Sequence, residues 1–293
     1  MAYRGRFAPS PTGPLHFGSL VAAVGSYVRA RAHDGVWLVR MEDLDPPREV
    51  PGAANDILAT LGAFGMTSDE PVVFQSGREG AYQAALEQLR QGAEIFPCWC
   101  SRADLEAQGG LHRGACKAAP DPARAPAWRL RVPDERIEFV DLLQGSNGQQ
   151  LAREVGDFVI RRVEGWFAYQ LAVVVDDADA RITEVVRGSD LLDSTPRQIY
   201  LQRLLGLPTP AYLHLPLALD AQGLKLSKSD AARPVDARDP LPALRAALAF
   251  LGMERAAHER ASQPQHLLAF AAQHFDLGDL RRAATDAPAA CKD

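Results

Sequence analysis

The fifteen residues Arg6-Phe7-Ala8-Pro9-Ser10-Pro11-Thr12-Gly13-Pro14-Leu15-His16-Phe17-Gly18-Ser19-Leu20 decide how the rest of the chain is read. Arg4 to Ala8 is a short extended candidate. Three prolines between Pro9 and Pro14 exclude regular structure there, because proline fixes φ and removes a backbone donor. From Gly18 the pattern turns helical: Leu20, Val21, Val24, Tyr27 and Val28 recur at three- and four-residue spacing, ending near His33-Asp34-Gly35. Val36-Trp37-Leu38-Val39 then reads as a buried strand that closes into the acidic turn Glu42-Asp43-Leu44-Asp45. Strand, rigid loop, helix and second strand suggest one nucleotide-binding half of a parallel sheet. The helix N-terminus favours anions, Gly18 permits close approach of a ligand, and His16 can donate a hydrogen bond to a phosphate as charge builds. His16 alone would read as an incidental residue of a proline-rich connection; the whole stretch is far more specific.

Outward from this stretch, helices are predicted at about 53–64 and 79–92. The segment 98–184 has a different texture, with three cysteines, a Pro/Ala-rich run over 118–127 and strand-like runs at 127–132, 137–143 and 158–163. It reads as an inserted α+β unit. A strand over 182–186, a helix over about 192–205 and a strand over 213–219 follow, and the tail from Asp239 is helical and alanine-rich. No internal repeat is visible.

The composition of the 293 residues is that of an ordinary globular chain, 47% hydrophobic and 24% charged, which excludes disordered and collagen-like classes. With 32 Lys+Arg against 37 Asp+Glu the net charge is -5, so contact with nucleic acid must come from local patches. No apolar run is long enough to span a bilayer and no signal peptide opens the chain, so no membrane association and a cytoplasmic location are expected. Only four of the basic residues are lysines, and two of these share the segment Lys225-Leu226-Ser227-Lys228-Ser229. A loop with two ammonium groups suits a triphosphate, because lysine is a compact charge that can follow phosphates through a transition state.

Together these two segments resemble the signatures of the class I aminoacyl-tRNA synthetases. The first is similar to the HIGH region in its glutamyl/glutaminyl form, with Ser19 in place of the second histidine, and the second to the KMSKS loop, with Leu226 in place of methionine. The resemblance covers about residues 3–252. It implies an α/β fold: a Rossmann-type parallel sheet with an inserted α+β unit and a short helical C-terminal region. Residues 1–97 would be the first half of the catalytic domain and 98–184 the inserted, zinc-containing and tRNA-contacting unit. Residues 185–238 would be the second half with the Lys225–Ser229 loop, and 239–293 the helical end.

The resemblance also implies the site. ATP, with Mg2+, would meet His16, Gly18, Lys225, Ser227 and Lys228, of which His16 and Lys228 act in catalysis. L-Glutamate would meet Arg6, Ala8, Ser10, Glu42, Tyr169 and Arg187. Glu42 follows a strand in Val39-Arg40-Met41-Glu42-Asp43, where a carboxylate can hold an ammonium. Arg187, in Val186-Arg187-Gly188-Ser189-Asp190, would give a bidentate grip on a carboxylate, with Arg6 a second candidate cation.

Cys98-Trp99-Cys100, His112 and Cys116 follow the pattern Cys-x-Cys-x11-His-x3-Cys. Three thiolates and an imidazole suit a closed tetrahedral site for one structural Zn2+; the competing reading is three buried reduced cysteines, and zinc is preferred. The glutamyl-Q branch of the family carries a comparable site, usually with tyrosine where His112 stands. Cys291 lies in the polar tail and is expected to have no role.

Sixty-four residues follow Ser229, too few for the large anticodon-binding region of full glutamyl-tRNA synthetases. The chain therefore resembles the truncated glutamyl-Q branch. Members of that branch activate glutamate with ATP and attach it to queuosine in the anticodon stem-loop of tRNA(Asp), and a monomer is the expected state. Two other readings stay open: a minimal synthetase charging the 3′ end of tRNA(Glu) or tRNA(Gln), and a catalytically silent RNA-binding paralogue.

Overall fold

A computed structural model describes residues 2–92, 94–219, 233–282 and 285–286 of the chain. The first crossover is β1 (Arg4–Phe7), the proline loop, α1 (Phe17–Ala32) and β2 (Val36–Met41). After α2 (Ala53–Ala63), β3 (Val73–Phe74) adds to β2, and all three strands are parallel, with Arg6 opposite Leu38. Then come α3 (Glu79–Gln91), β4 (Ile95–Cys98), the short α4 (Arg102–Glu106) and β5 (Ala127–Leu130). A hairpin of β6 (Arg136–Asp141) and β7 (Gly145–Gln150) is followed by α5 (Leu151–Glu154) and β8 (Phe158–Arg161). Next are α6 (Tyr169–Asp179), β9 (Glu184–Gly188), α7 (Thr195–Leu205) and β10 (Ala211–Leu215). Three C-terminal helices follow, α8 (Pro240–Leu251), α9 (Glu254–Ala257) and α10 (Pro264–Gln273).

The site is created by the way two sheets meet. One is β1-β2-β3; the other runs β7-β6-β10-β9, with β9, β10 and β6 parallel and β7 antiparallel at the edge. Thr183 N–H donates to the Arg4 carbonyl, and Arg4 N–H to the Thr183 hydroxyl, each at 2.9 Å. So β9 starts alongside β1. From β1 the chain crosses by α1 to β2 on one side, and from β9 by α7 to β10 on the other. Adjacent parallel strands whose connections leave in opposite directions open a crevice at their carboxyl ends, the usual ligand position of such sheets.

The hairpin over 136–150 falls, in the sequence, inside the region read as an insert. In the structure it extends the sheet of β9 and β10, with Tyr212 of β10 opposite Asp141. The reason is apolar contact: Ile137 is fully buried and packs with Val185, Ile199 and Tyr212. Of the region read as an insert, β5 and β8 form a separate, antiparallel sheet with β4.

Nine of the sixteen residues of α1 are buried, so this helix is covered on more than one side. On one side Gly25 meets β10: a Cβ there would fall 2.5 Å from Leu215 Cδ1, so any larger residue would force that buried side chain to shift. On another side Leu244, Leu248 and Leu251 of α8 and Leu267 and Leu268 of α10 share a core with Leu20, Val24 and Val28. Each such fully buried side chain contributes about 1.5–3 kcal/mol, so the C-terminal helices help hold the helix that carries the site. Among the described residues no helix is long and apolar enough to cross a membrane.

Candidate active site

The proline loop is pinned to the second strand's turn. Glu42 N–H donates to the Pro9 carbonyl and Val50 N–H to the Pro11 carbonyl, each at 2.9 Å. The loop delivers His16 to the N-cap of α1, where its imidazole accepts from the Ser19 N–H at 3.4 Å and lies 3.1 Å from the Ser19 hydroxyl. At the carboxyl ends of β1 and β9 opens a cavity of about 520 Å³. Arg6, Ala8, Ser10, His16, Gly18, Glu42, Tyr169 and Arg187 all line it, so these residues, distant in sequence, share one space. Lys225, Ser227 and Lys228 lie outside the described residues, as does Cys291.

Arg187 sits on β9, 5% exposed, with most of its guanidinium already engaged. Its Nε donates to His214 Nε2 at 3.0 Å, and its Nη2 to Thr195 Oγ1 at 2.9 Å and to the Leu191 carbonyl at 3.3 Å. Nη1 donates to the Tyr169 hydroxyl at 3.4 Å. A bidentate grip by the guanidinium alone, as the sequence suggested, therefore lacks a free Nε/Nη2 edge. The donors that face the cavity are Nη1 and the Tyr169 O–H, whose proton is left over once its oxygen accepts from Nη1. Burial pushes the Tyr169 phenol upward, which keeps that proton in place at neutral pH.

Arg6 is held differently. Its Nε and Nη2 donate to the two oxygens of Asp177 at 3.1 and 3.2 Å, and Nη1 to the Val186 carbonyl at 3.4 Å. Arg40 Nη1 donates to the same Asp177 at 2.5 Å, and Arg40 Nη2 to Glu42 at 3.2 Å. Asp177 is thus a buried anion shared by two guanidiniums, and Glu42 is the neighbouring carboxylate that lines the cavity. Burial pushes the Glu42 carboxyl upward, more than the neighbouring Arg40 and Arg6 pull it down. A cation arriving beside it would favour the charged form.

The residues that sequence reasoning passed over are Arg40, Asp141, Asp177, Thr195 and His214, all buried. Their one local signal is an ionisable group inside an apolar run, as in Leu171-Ala172-Val173-Val174-Val175-Asp176-Asp177 or Leu213-His214-Leu215. Such a group must have a partner when buried, and here the partners are one another. Chemically, the cavity offers the Glu42 carboxylate, with Asp190 also on its wall, and a guanidinium–phenol donor pair, beside a helix N-terminus. That suits an amino acid with an extra acidic group, placed next to phosphates.

A second cluster lies away from this cavity. The ligand atoms of Cys98, Cys100, His112 and Cys116 all fall within 4.8 Å of one another. Cys98 ends β4, and Ser101 opens α4 through a reciprocal capping box with Asp104. His112 Nδ1 faces Asp157 Oδ2 at 3.0 Å, which turns the ring so that Nε2 points to the sulfurs. That Nε2 is buried with no hydrogen-bond partner among the described residues, as expected for a metal ligand. Arg129 donates to Cys98 Sγ at 3.3 Å and to the Asp157 carbonyl at 2.8 Å, placing a positive charge beside the thiols. Gly156 has φ +70, and a Cβ there would meet the His112 carbonyl at 2.4 Å. The donor set, its spacing and the orphaned Nε2 fit a tetrahedral metal ion.

Residues 2–269 match the family model described as tRNA synthetases class I (E and Q), catalytic domain. A glutamyl-Q tRNA(Asp) synthetase from Burkholderia cenocepacia is 60% identical, over 86% of this chain and 88% of that protein. One from Xanthomonas campestris pv. campestris is 55% identical over 99% of both chains. Among solved structures, a glutamate tRNA ligase from Elizabethkingia meningosepticum, crystallised with its amino acid, superposes with a TM-score of 0.81 at 26% identity. That superposition covers 99% of this chain and 68% of the ligase.

Proposed function

The chain belongs to the class I tRNA synthetases of the glutamate and glutamine type, within them to the glutamyl-Q tRNA(Asp) synthetases, and on that premise we propose that it activates L-glutamate with ATP and transfers it to queuosine in the anticodon of tRNA(Asp). The observation that carries this reading is the charge pattern of one cavity: Glu42 and the Arg187–Tyr169 donor pair, with His16 and Gly18 at its helix end. Glu42 would take the ammonium of glutamate, and Arg187 Nη1 with Tyr169 would take a carboxylate. Arg6, neutralised by Asp177, would add field rather than a direct grip.

In the first step a carboxylate oxygen of glutamate attacks the α-phosphorus of ATP. The bond to the bridging oxygen breaks and pyrophosphate leaves with the electron pair. Mg2+ enters with the triphosphate as part of the nucleotide substrate. His16 and, from the sequence, Lys225 and Lys228 would offset the charge that builds on the phosphates, while Ser227 and Gly18 would hold the nucleotide. A hydroxyl of the queuosine cyclopentenediol then attacks the acyl carbon, AMP departs, and the hydroxyl proton goes to solvent. Adenylate is a good leaving group, so this second step depends mostly on positioning.

Labelled glutamate is expected to transfer to tRNA(Asp) that bears queuosine and not to tRNA(Asp) without it. The isolated queuosine-bearing stem-loop should accept glutamate, and removal of the terminal CCA from whole tRNA should not matter. Transfer only to tRNA with an intact 3′ end would instead identify a conventional charging enzyme and overturn the reading.

Cys98, Cys100, His112 and Cys116 would hold one structural Zn2+ per chain, cross-linking β4 to the turn beyond α4. Freshly purified, never-chelated protein is expected to contain about one zinc per chain by elemental analysis. Asp157→Asn, which loosens the orientation of His112, should weaken zinc retention against a competing chelator by about 10–100-fold. Metal-free protein at isolation would rule the site out.

A further inference from the structure

Arg187 is aimed by a buried chain of hydrogen bonds that ends well outside the cavity. Asp141, 1% exposed at the end of β6, accepts from the Leu143 and Gln144 N–H groups at Oδ1, at 2.9 and 2.8 Å. The His214 N–H reaches both of its oxygens, at 3.2 and 3.1 Å. Its Oδ2 lies 2.6 Å from His214 Nδ1. Burial would raise this carboxyl, but the His214 contact and the backbone amides hold it below the usual range, so it is an ionised, acceptor-only group. The proton between Oδ2 and Nδ1 therefore sits on the imidazole. His214 is fully buried and burial lowers its pKa, so at neutral pH Nε2 carries a lone pair. That lone pair accepts from Arg187 Nε at 3.0 Å.

We propose that the Asp141–His214 pair is a positioning device for the amino-acid pocket: it fixes the Nδ1–H tautomer, so that Nε2 holds Arg187 by its Nε and leaves Nη1 and the Tyr169 hydroxyl to read the substrate carboxylate. Neither residue lines the cavity, so both act through Arg187. The opposite tautomer would put an N–H against the Arg187 N–H, two donors 3.0 Å apart, and Arg187 would have to move. For its kinetic arm this rests on the reading of the cavity as a glutamate pocket; the tautomer arm does not.

Asp141→Asn provides the test, because the carbonyl oxygen of asparagine is claimed by the backbone amides and its NH2 must then face Nδ1. The ring should switch to Nε2–H, as an imidazole oriented by an amide rather than a carboxylate does. Nitrogen-15 correlation spectra of the unliganded protein should show Nδ1–H for His214 in the wild type and Nε2–H in the variant. In glutamate-dependent pyrophosphate exchange, the variant should show a KM for glutamate raised by about tenfold or more, with the KM for ATP unchanged. His214→Gln, whose amide can turn its oxygen toward Arg187 and its NH2 toward the Asp141 carboxylate, should stay near wild type, and adding Asp141→Asn to it should turn that amide over and raise the KM for glutamate again. Should Asp141→Asn fail to fold, His214→Phe removes the Nε2 acceptor together with the Nδ1 donor and should raise the same KM. A wild-type ring with Nε2–H, or an unchanged glutamate KM in His214→Phe, would overturn the inference. A wild type inert in exchange would count against the glutamate reading instead, and the tautomer would then decide.

Discussion

Arg187→Ala is expected to lower kcat/KM for glutamate in pyrophosphate exchange by roughly a thousandfold while leaving the KM for ATP nearly unchanged. Truncating one partner of a buried, hydrogen-bonded charge pair costs about 2–5 kcal/mol, and about 4 kcal/mol corresponds to that factor. The loss should be this large because, among the described residues, the other guanidiniums that line the cavity are already paired, Arg48 with Asp45. Arg6 lines the same cavity, but its Nε and Nη2 are bound to Asp177 and its Nη1 to the Val186 carbonyl. Arg6→Ala should accordingly act on stability first and on glutamate second. The variant should also lose its preference for glutamate over glutamine, since a neutral pocket no longer rewards a carboxylate. Steady-state exchange with the two amino acids measures both effects, and an Arg187→Ala enzyme that still prefers glutamate would show that another residue reads the carboxylate.

The contrast between the two arginines also marks where the sequence stops being informative. The first crossover is legible because local rules agree there: apolar spacing writes α1, prolines write the loop, and α2 and α3 end within a residue of where their periodicity does. The Cys/His cluster is legible because its members lie within nineteen positions. The edge strand β7 is not, since Gly-Ser-Asn-Gly-Gln-Gln has no apolar alternation and exists as a strand only by pairing with β6. The same holds for the partners of Arg187 and Arg6. His214 and Asp141 stand 73 positions apart, and Arg6 and Asp177 171, so no window of sequence contains either bond. What a motif supplies is the residue that faces the ligand. What it leaves out is the buried charge that decides how many of that residue's donors remain free.

That buried charge is also the most exposed point of the fold's stability. Asp177→Ala would leave the guanidiniums of Arg6 and Arg40, both under 5% exposed, without the carboxylate they share. Breaking a buried ion pair by removing one partner costs about 3–5 kcal/mol. For a chain of this size that is a fall in Tm of roughly 10 °C. The dependence on pH follows from the direction of the shift. Burial would raise Asp177, but Arg40 and Arg6 outweigh it and hold the carboxyl below the ordinary carboxylate value. Its contribution is therefore complete above the unfolded pKa of about 3.9 and is lost as pH falls through the lower, folded value. The wild type and Asp177→Ala should differ by a constant amount between about pH 5 and 8 and converge only in stronger acid. Glu42, which is raised, works in the opposite sense over its own window, so it cannot imitate this loss. Asp177→Asn, which keeps the shape and one acceptor, should lie between the two. Urea denaturation midpoints at neutral and acid pH distinguish these outcomes. A variant as stable as the wild type at pH 7 would mean that the two arginines find other acceptors, and the site would then be held by something other than its shared anion.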